Sequence, residues 1–263
     1  MQVVYAHTDS IYVPIESVTK AKEKCEIINS YVKELFPNVM NLENHPVNLE
    51  FEKFYKALGV GCTKNRNAGF ISWKDGLFLS EPEFVVTGFS MKRISENEIS
   101  RKFQETLLKM WAGQSTQSEI IEYCKKMYND VKKGRVPIEK VMKRGRVRKA
   151  MDEYKSIAGG IAGVQYYNQH INPTDPINDS FLYIECSRID GPQYVILPNG
   201  RGRRAKFVSV KEVSELDEKY MPNWDSYAVK SIIQKAKPVF EAMNWDIKLF
   251  TIDENQKGLG EWL

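Results

Sequence analysis

The side chains most able to do chemistry stand in two places. In VVYAHTDSIYV, residues 3–13, a single aspartate, Asp9, lies between two short runs of β-branched and aromatic residues. At the tip of such a turn a carboxylate is held firmly yet exposed, which suits a hard divalent cation such as Mg²⁺ that takes oxygen ligands and also binds substrate phosphates. Aspartate is equally frequent in turns for local reasons, because its carboxylate bonds nearby backbone groups. From Val131 to Tyr154 there are nine Lys or Arg against three acids, a local excess of six where the whole chain carries +4, so the remainder is slightly acidic. Such a patch is what a polyanion binder needs, since each phosphate neutralised releases a counterion. A solvated helix face is the plainer alternative.

The elements that must position these residues follow from periodicity. Residues 3–6 and 11–15, split by His7-Thr8-Asp9-Ser10, predict a hairpin. Residues 17–35 carry Val18, Cys25, Ile28, Val32 and Leu35 at helical spacing and stop before Phe36-Pro37. Between Val47 and Val86 the runs LEFEKF, GFISW and FVVTG, separated by Asn, Gly and Asp-Gly, predict a small antiparallel sheet. Residues 98–133 and 137–157 read as helices with Gly134 to Pro137 as the break. Short strands are expected at 181–186, 193–197 and 205–210, and a last helix at 226–243, followed by a polar tail. The fold class is α+β: a β-hairpin, helix and small sheet, then a mainly helical half with a small β subregion.

Composition narrows the class. With 263 residues, 42% hydrophobic and 11% aromatic, the chain can bury a real core. No apolar run approaches the roughly 18 residues that span a bilayer, and the N-terminus lacks the basic and apolar regions of a secretory signal. A cytoplasmic protein with no membrane partner is expected. Cys25, Cys62, Cys124 and Cys186 lack metal-ligand spacing and read as free thiols.

Tyr5-Ala6-His7-Thr8-Asp9-Ser10 resembles the YxDTDS motif of family B DNA polymerases, the hairpin of their palm domain. Downstream, Leu49-Glu50-Phe51-Glu52-Lys53 is similar to that family's LEFEK strand. Lys64-Asn65-Arg66-Asn67-Ala68-Gly69 stands where the family carries KKRYAG, and Gly88-Phe89-Ser90-Met91-Lys92-Arg93 where it has G-hydrophobic-x-x-V-R-R. Lys133-Gly134-Arg135-Val136-Pro137 and Arg148-Lys149-Ala150-Met151-Asp152-Glu153-Tyr154-Lys155 resemble two thumb segments, K-G-x-V-P and T-R/K-P-L-x-x-Y. The motifs keep the family's order over nearly the whole chain, and the archaeal type is the most similar.

The resemblance implies a C-terminal part of the palm at 1–92, a thumb at 93–250 that grips duplex DNA, and a tail at 251–263. It makes Asp9 the catalytic, Mg²⁺-binding carboxylate. Lys64, Arg66, Arg93, Arg144, Arg146, Arg148, Lys149, Tyr154 and Lys155 become contacts to primer–template DNA, each with an ordinary surface residue as its alternative. Gln256, Leu259, Trp262 and Leu263 resemble the sliding-clamp (PCNA) box: Leu259 and Trp262 fall three apart and project together from one turn into an apolar pocket. A frayed end with a stray Trp is the alternative there.

Two-metal nucleotidyl transfer needs carboxylates from two segments, and in the family the other carboxylate, the fingers and the exonuclease domain lie ahead of the hairpin. The implied function is therefore the small subunit of a split DNA polymerase. It would be inactive alone and would meet deoxynucleotides only in complex with a large subunit. The competing readings are a non-catalytic module that binds duplex DNA and the clamp, and a piece of a one-chain polymerase. His7 replaces the first Asp of DTD, and imidazole is a poor Mg²⁺ ligand. Asn65 and Asn67 replace a Lys and a Tyr.

Overall fold

A computed structural model describes residues 2–7, 10–63, 65–93, 95–154, 157–197 and 200–252, the side chains of His7 and Lys92 excepted. The chain divides into two compact units, residues 1–88 with 112–114, and residues 89–111 with 115 onward. Both α and β elements are present in quantity, as expected.

In the first unit, β1 (Tyr5–His7) and β2 (Ser10–Tyr12) form the hairpin, with Tyr5 opposite Tyr12 and His7 opposite Ser10. Helix α1 (Val18–Leu35) starts on Ser17, whose side chain accepts the N–H of Lys20 and so satisfies one of the free donors of the first turn. Strands β3 (Lys53–Val60), β4 (Asn67–Lys74) and β5 (Leu77–Thr87) make an antiparallel sheet in the order β3-β4-β5.

LEFEK departs from its expected strand: the ladder begins only at Lys53. Asn29 of α1 takes both backbone groups of Leu49, accepting its N–H at 2.7 Å and donating to its carbonyl at 2.8 Å. Those bonds tie the segment to the helix. Phe51 stacks on Trp73 at 4.5 Å, so its side chain still fills the place a strand residue would.

The second unit opens with α2 (Glu98–Ala112) and α3 (Gln117–Lys132), not one helix over 98–133. The second start is a capping box: Thr116 accepts the N–H of Glu119, whose carboxylate accepts the N–H of Thr116. The expected helix at 137–157 is also replaced. Only the single turn α4 (Ile138–Val141) forms, followed by strand β6 (Lys143–Arg146) and a 3₁₀ turn at Met151–Glu153. Alternation through Lys143-Arg144-Gly145-Arg146-Val147-Arg148 is a strand period, and pairing with a long neighbour selects it.

That neighbour is β7 (Ser180–Ile189), preceded by α5 (Gly159–Tyr166) and a π-helical turn at Tyr167–Ile171. Then come β8 (Tyr194–Ile196), β9 (Gly202–Arg204), β10 (Phe207–Val210) and β11 (Tyr220–Pro222). β7 pairs antiparallel with β6, β10 and β11, while β8 and β9 form a separate two-stranded ribbon. The last helical stretch is α6 (Trp224–Tyr227), a π-helical segment Ala228–Ile233, α7 (Gln234–Ala242) and the turn α8 (Lys248–Thr251).

Two clusters fill this unit. Phe103, Leu107, Leu108, Ile120 and Phe240 are almost wholly shielded among the helices, and Val164, Tyr166, Ile184, Val195 and Val208 join α5 to the strands. Lys235 pairs with Glu96 at 2.6 Å and donates to Ser90 at 2.9 Å, both charges being mostly buried. No helix among the described residues is long and apolar enough to cross a membrane.

Candidate nucleic-acid interface

The hairpin is braced by aromatic contacts. Tyr5 lies 5.3 Å from Tyr12, which lies 6.0 Å from Tyr55 of β3. Burial, with Tyr12 alongside, pushes the Tyr55 phenol up to about 12, so it stays neutral at working pH. The Tyr5 hydroxyl donates to Asn65 Oδ1 and accepts the backbone N–H of Asn65, both at 3.1 Å. Asn65 itself adopts φ +61°, a left-handed conformation that asparagine tolerates better than most residues.

Gly88, at φ +74°, lies against the same residue: a Cβ there would sit 1.8 Å from the Asn65 carbonyl oxygen. The motif KNRNAG and the first residue of GFSMKR thus meet at one point, and only glycine fits it. Arg66 is half-buried, and its carbonyl accepts the N–H of Gly61 at 2.7 Å. Thr8, Asp9 and Lys64 lie outside the described residues. Among the described residues no three His, Cys, Asp or Glu side chains converge as metal ligands.

In the second unit the basic stretch takes the form of an edge. β6 pairs Lys143 with Tyr183 and Arg146 with Ser180, and the ladder continues as Val147 N–H donates to the Asp179 carbonyl at 2.9 Å. Arg144, Arg146 and Arg148 are exposed while the positions between them are half-buried, so the guanidinium-bearing residues recur about every 7 Å along the chain. Gly145 is required between them because a Cβ would come within 2.4 Å of the Phe181 ring. Arg146 pairs with Asp179 at 2.6 Å; among the described residues Arg144 and Arg148 have no carboxylate partner.

The residues after the strand hold one another. Tyr154 accepts the backbone N–H of Arg148 at 2.9 Å. Lys149 donates to the Glu153 carbonyl at 2.6 Å and stands 4.8 Å above the Tyr154 ring, a cation–π distance. Arg144 also lines a groove of about 330 Å³ with Lys211 from the end of β10. Arg93 is exposed just after a 3₁₀ turn. Lys155 and the tail residues Gln256, Leu259, Trp262 and Leu263 lie outside the described residues. Sequence reading passed over Arg201, Arg203, Arg204 and Lys206 around β9, although an acid-free run there was available as a signal.

A stiff edge strand that offers guanidinium groups at regular intervals is suited to phosphate oxygens, which arginine bonds through two parallel N–H groups. The family description DNA polymerase family B matches residues 1–243.

This chain belongs to DNA polymerase family B.

Among curated relatives, the DNA polymerase of Pyrococcus horikoshii is 21% identical over 100% of this chain and 19% of its own length. DNA polymerase 1 of Pyrococcus abyssi is 21% identical over 100% of this chain and 30% of its own. The DNA polymerase of Thermococcus aggregans is 21% identical over 98% of this chain and 13% of its own. The chain therefore spans less than a third of the curated relatives it matches. In fold it is similar to the family B DNA polymerase of the hyperthermophilic archaeon Pyrobaculum calidifontis, with a TM-score of 0.59 at 16% identity over 91% of this chain and 26% of that one.

Proposed function

We propose that this chain is the C-terminal, small subunit of a split archaeal-type family B DNA polymerase, active only with a large subunit. Residues 1–92 form the C-terminal part of its palm, 93–250 its thumb, and 251–263 a tail that binds the sliding clamp through Gln256, Leu259, Trp262 and Leu263. The observation that carries the reading is the row of exposed arginines, Arg144 and Arg146 on a pinned edge strand with Arg148 just beyond its end. Contacts of that type hold the phosphate backbone and set register without reading bases. The resemblance assigns further DNA contacts to Lys64, Arg66, Arg93, Lys149, Tyr154 and Lys155.

Asp9, which follows β1 in sequence, offers the oxygen donor that Mg²⁺ prefers, whereas His7 offers nitrogen. When bound, the metal pair stabilises charge on the phosphoryl oxygens. The second carboxylate and the nucleotide-binding fingers come from outside these 263 residues, so the isolated chain does not extend primers. The compartment expected is the cytoplasm.

Mixing with the large subunit should restore Mg²⁺-dependent primer extension, and Asp9→Ala should abolish it. Unchanged extension by that variant would remove Asp9 from the chemistry. A reading frame continuing upstream into the missing palm would instead make this a stretch of a one-chain polymerase.

A second reading, a non-catalytic module that binds duplex DNA and the clamp, is favoured by His7 and by Asn65, which serves the fold through Tyr5 where a DNA-facing lysine is expected. It prevails if the assembled pair binds primer–template and clamp yet never extends. His7→Asp then tests whether that replacement is the lesion.

A further inference from the structure

Where the start of α5 meets the strands of the second unit there is a cavity of about 190 Å³ whose lining includes Lys143, Tyr183 and Phe207. Successive strand residues point to opposite faces, so Lys143, opposite Tyr183 of β7, turns away from the exposed Arg144 beside it. Ser209 of β10 stands opposite Tyr183 on its other side, and Phe207 opposite Glu185. Helix α5 lies across that face: a Cβ on Gly159 would come within 2.7 Å of the Phe207 ring, and Ser209 Oγ donates to the Gly160 carbonyl at 2.9 Å. Asn97 and Ser100 at the start of α2, with Lys230 and Ser231, close the remaining sides.

The acceptors at this cavity are already taken. Lys235 holds Glu96 and Lys230 holds Glu185, each at 2.6 Å, and Ser226 Oγ donates to Glu185 at 2.8 Å. Asn97 gives its amide hydrogens to the Val141 carbonyl and to Ser231, and its oxygen accepts the N–H of Ser100. What is left over can donate. The Ser100 hydroxyl, on a residue only 2% exposed, has no hydrogen-bond partner among the described residues. Lys143 is half-buried and makes no ion pair among them. Helix α5 starts on Ala158, which has no side chain to cap it, and the first N–H that reaches a carbonyl is that of Ala162. The N–H groups of Gly159, Gly160 and Ile161 thus have no acceptor among the described residues. Burial, with Glu96 nearby, holds the Tyr183 phenol above its ordinary value, so it remains a neutral donor.

We propose that this cavity binds a phosphate group, as inorganic phosphate or as the monoester of a small molecule, held by Lys143, Ser100 and the N-terminus of α5. The site goes beyond the polymerase reading and does not depend on it. A helix N-terminus favours an anion through its free N–H groups and its dipole, and the Lys143 ammonium adds a full charge. Donors arriving from three separate elements suit a tetrahedral ion with several oxygens better than a flat carboxylate with two. The volume also lies below the roughly 300 Å³ at which sites for drug-sized molecules begin, so the ligand is small.

The test is titration calorimetry of the full chain with sodium phosphate at constant ionic strength, so that general screening cancels. Lys143→Met should weaken binding about tenfold or more, and Ser100→Ala about 3- to 5-fold, the bond to the charged donor being the stronger. Ser100→Ala should also melt no lower than the wild type in phosphate-free buffer, because it deletes a buried hydroxyl without a partner. A serine serving only the fold would lower the melt and leave the affinity alone, and that result overturns its role. If Lys143→Met alters the fold, Ser100→Ala carries the test. Glycerol phosphate that displaces phosphate identifies the monoester group as sufficient, and failure to displace it identifies the free ion. Equal binding of acetate overturns the tetrahedral assignment. Phosphate affinity lost in Arg144→Ala but kept in Lys143→Met places the ion on the exposed arginine edge and overturns the cavity. A parallel loss of duplex affinity in Lys143→Met makes the ligand a DNA phosphate and overturns the small-ion assignment. No binding of phosphate by the wild type at millimolar concentration overturns the site altogether.

Discussion

Across the helices of the second unit, Phe103, Leu107, Leu108 and Ile120 are almost completely shielded, whereas α1 in the first unit leaves Ile27, Tyr31 and Leu35 exposed one turn apart, with Phe36, Val39 and Met40 exposed just beyond. Both stretches are helical and carry comparable apolar content, yet only one converts it into burial. At about 25 cal/mol per Å² of apolar surface removed from water, the second unit draws its stability from its own core. The first rests on a narrower set: Val18, Ala21, Ala68, Ile71, Trp73 and Val86. Amphipathic spacing tells which residues share a face, not whether anything covers it.

The largest effect expected from this contrast is at Leu107. Leu107→Ala should destabilise the chain by about 3–4 kcal/mol in urea unfolding, while Leu35→Ala, at a position 73% exposed, should stay within about 0.5 kcal/mol. Equal losses at the two sites would break the comparison. Next comes Lys235→Ala, which leaves the mostly buried Glu96 carboxylate without its cation. A cost of about 2–3 kcal/mol is expected, below that of a fully enclosed pair.

Smaller again is Gly145→Ala, at about 1–2 kcal/mol, because the Phe181 ring must shift to admit a methyl group. Chemical-shift changes spreading from Phe181 would confirm the route. The smallest concerns the start of α3, where Thr116→Ala should cost about 1 kcal/mol. The hydrogen bonds from Thr116 hold the Glu119 carboxyl below its ordinary value of 4.5. A depressed carboxyl stabilises the folded state above 4.5, and that contribution fades as pH falls through the lower folded value. The variant loses the hydroxyl bond to Glu119 but keeps the backbone one, so it should lose somewhat less than the wild type on acidification, measured by thermal melts from pH 6 downward.

How far the sequence revealed the structure varied with the kind of signal. The β1–β2 hairpin and α1 were readable because strand and helix periods are clean there. α5 was not: every residue from Gly160 to Tyr166 is buried, so no polar stripe marks it, and its glycines are poor helix formers. Instead of packing badly, they let the helix press onto β10, where a Cβ on Gly163 would meet Ser209 Oγ at 2.5 Å. β6 was misread because its charges fit a solvated helix as well as a strand until β7 supplied a ladder. β9 escaped because Gly202-Arg203-Arg204 has no apolar alternation to betray a strand. The charge excess located the basic stretch and a motif marked the Asn65 turn, but neither Tyr5 as the partner of Asn65 nor Gln169 as a partner of Ile196 has any local pattern. Both join residues far apart in sequence.

The clasp between Tyr5 and Asn65 also constrains what this sequence can change at position 65. A lysine there would remove the amide oxygen that receives the Tyr5 hydroxyl. It would also place an ordinary L-residue at φ +61°, a conformation that costs roughly 1–2 kcal/mol. The substitution is therefore epistatic: it becomes tolerable only after the turn, and the Gly88 that closes on it, have been rebuilt.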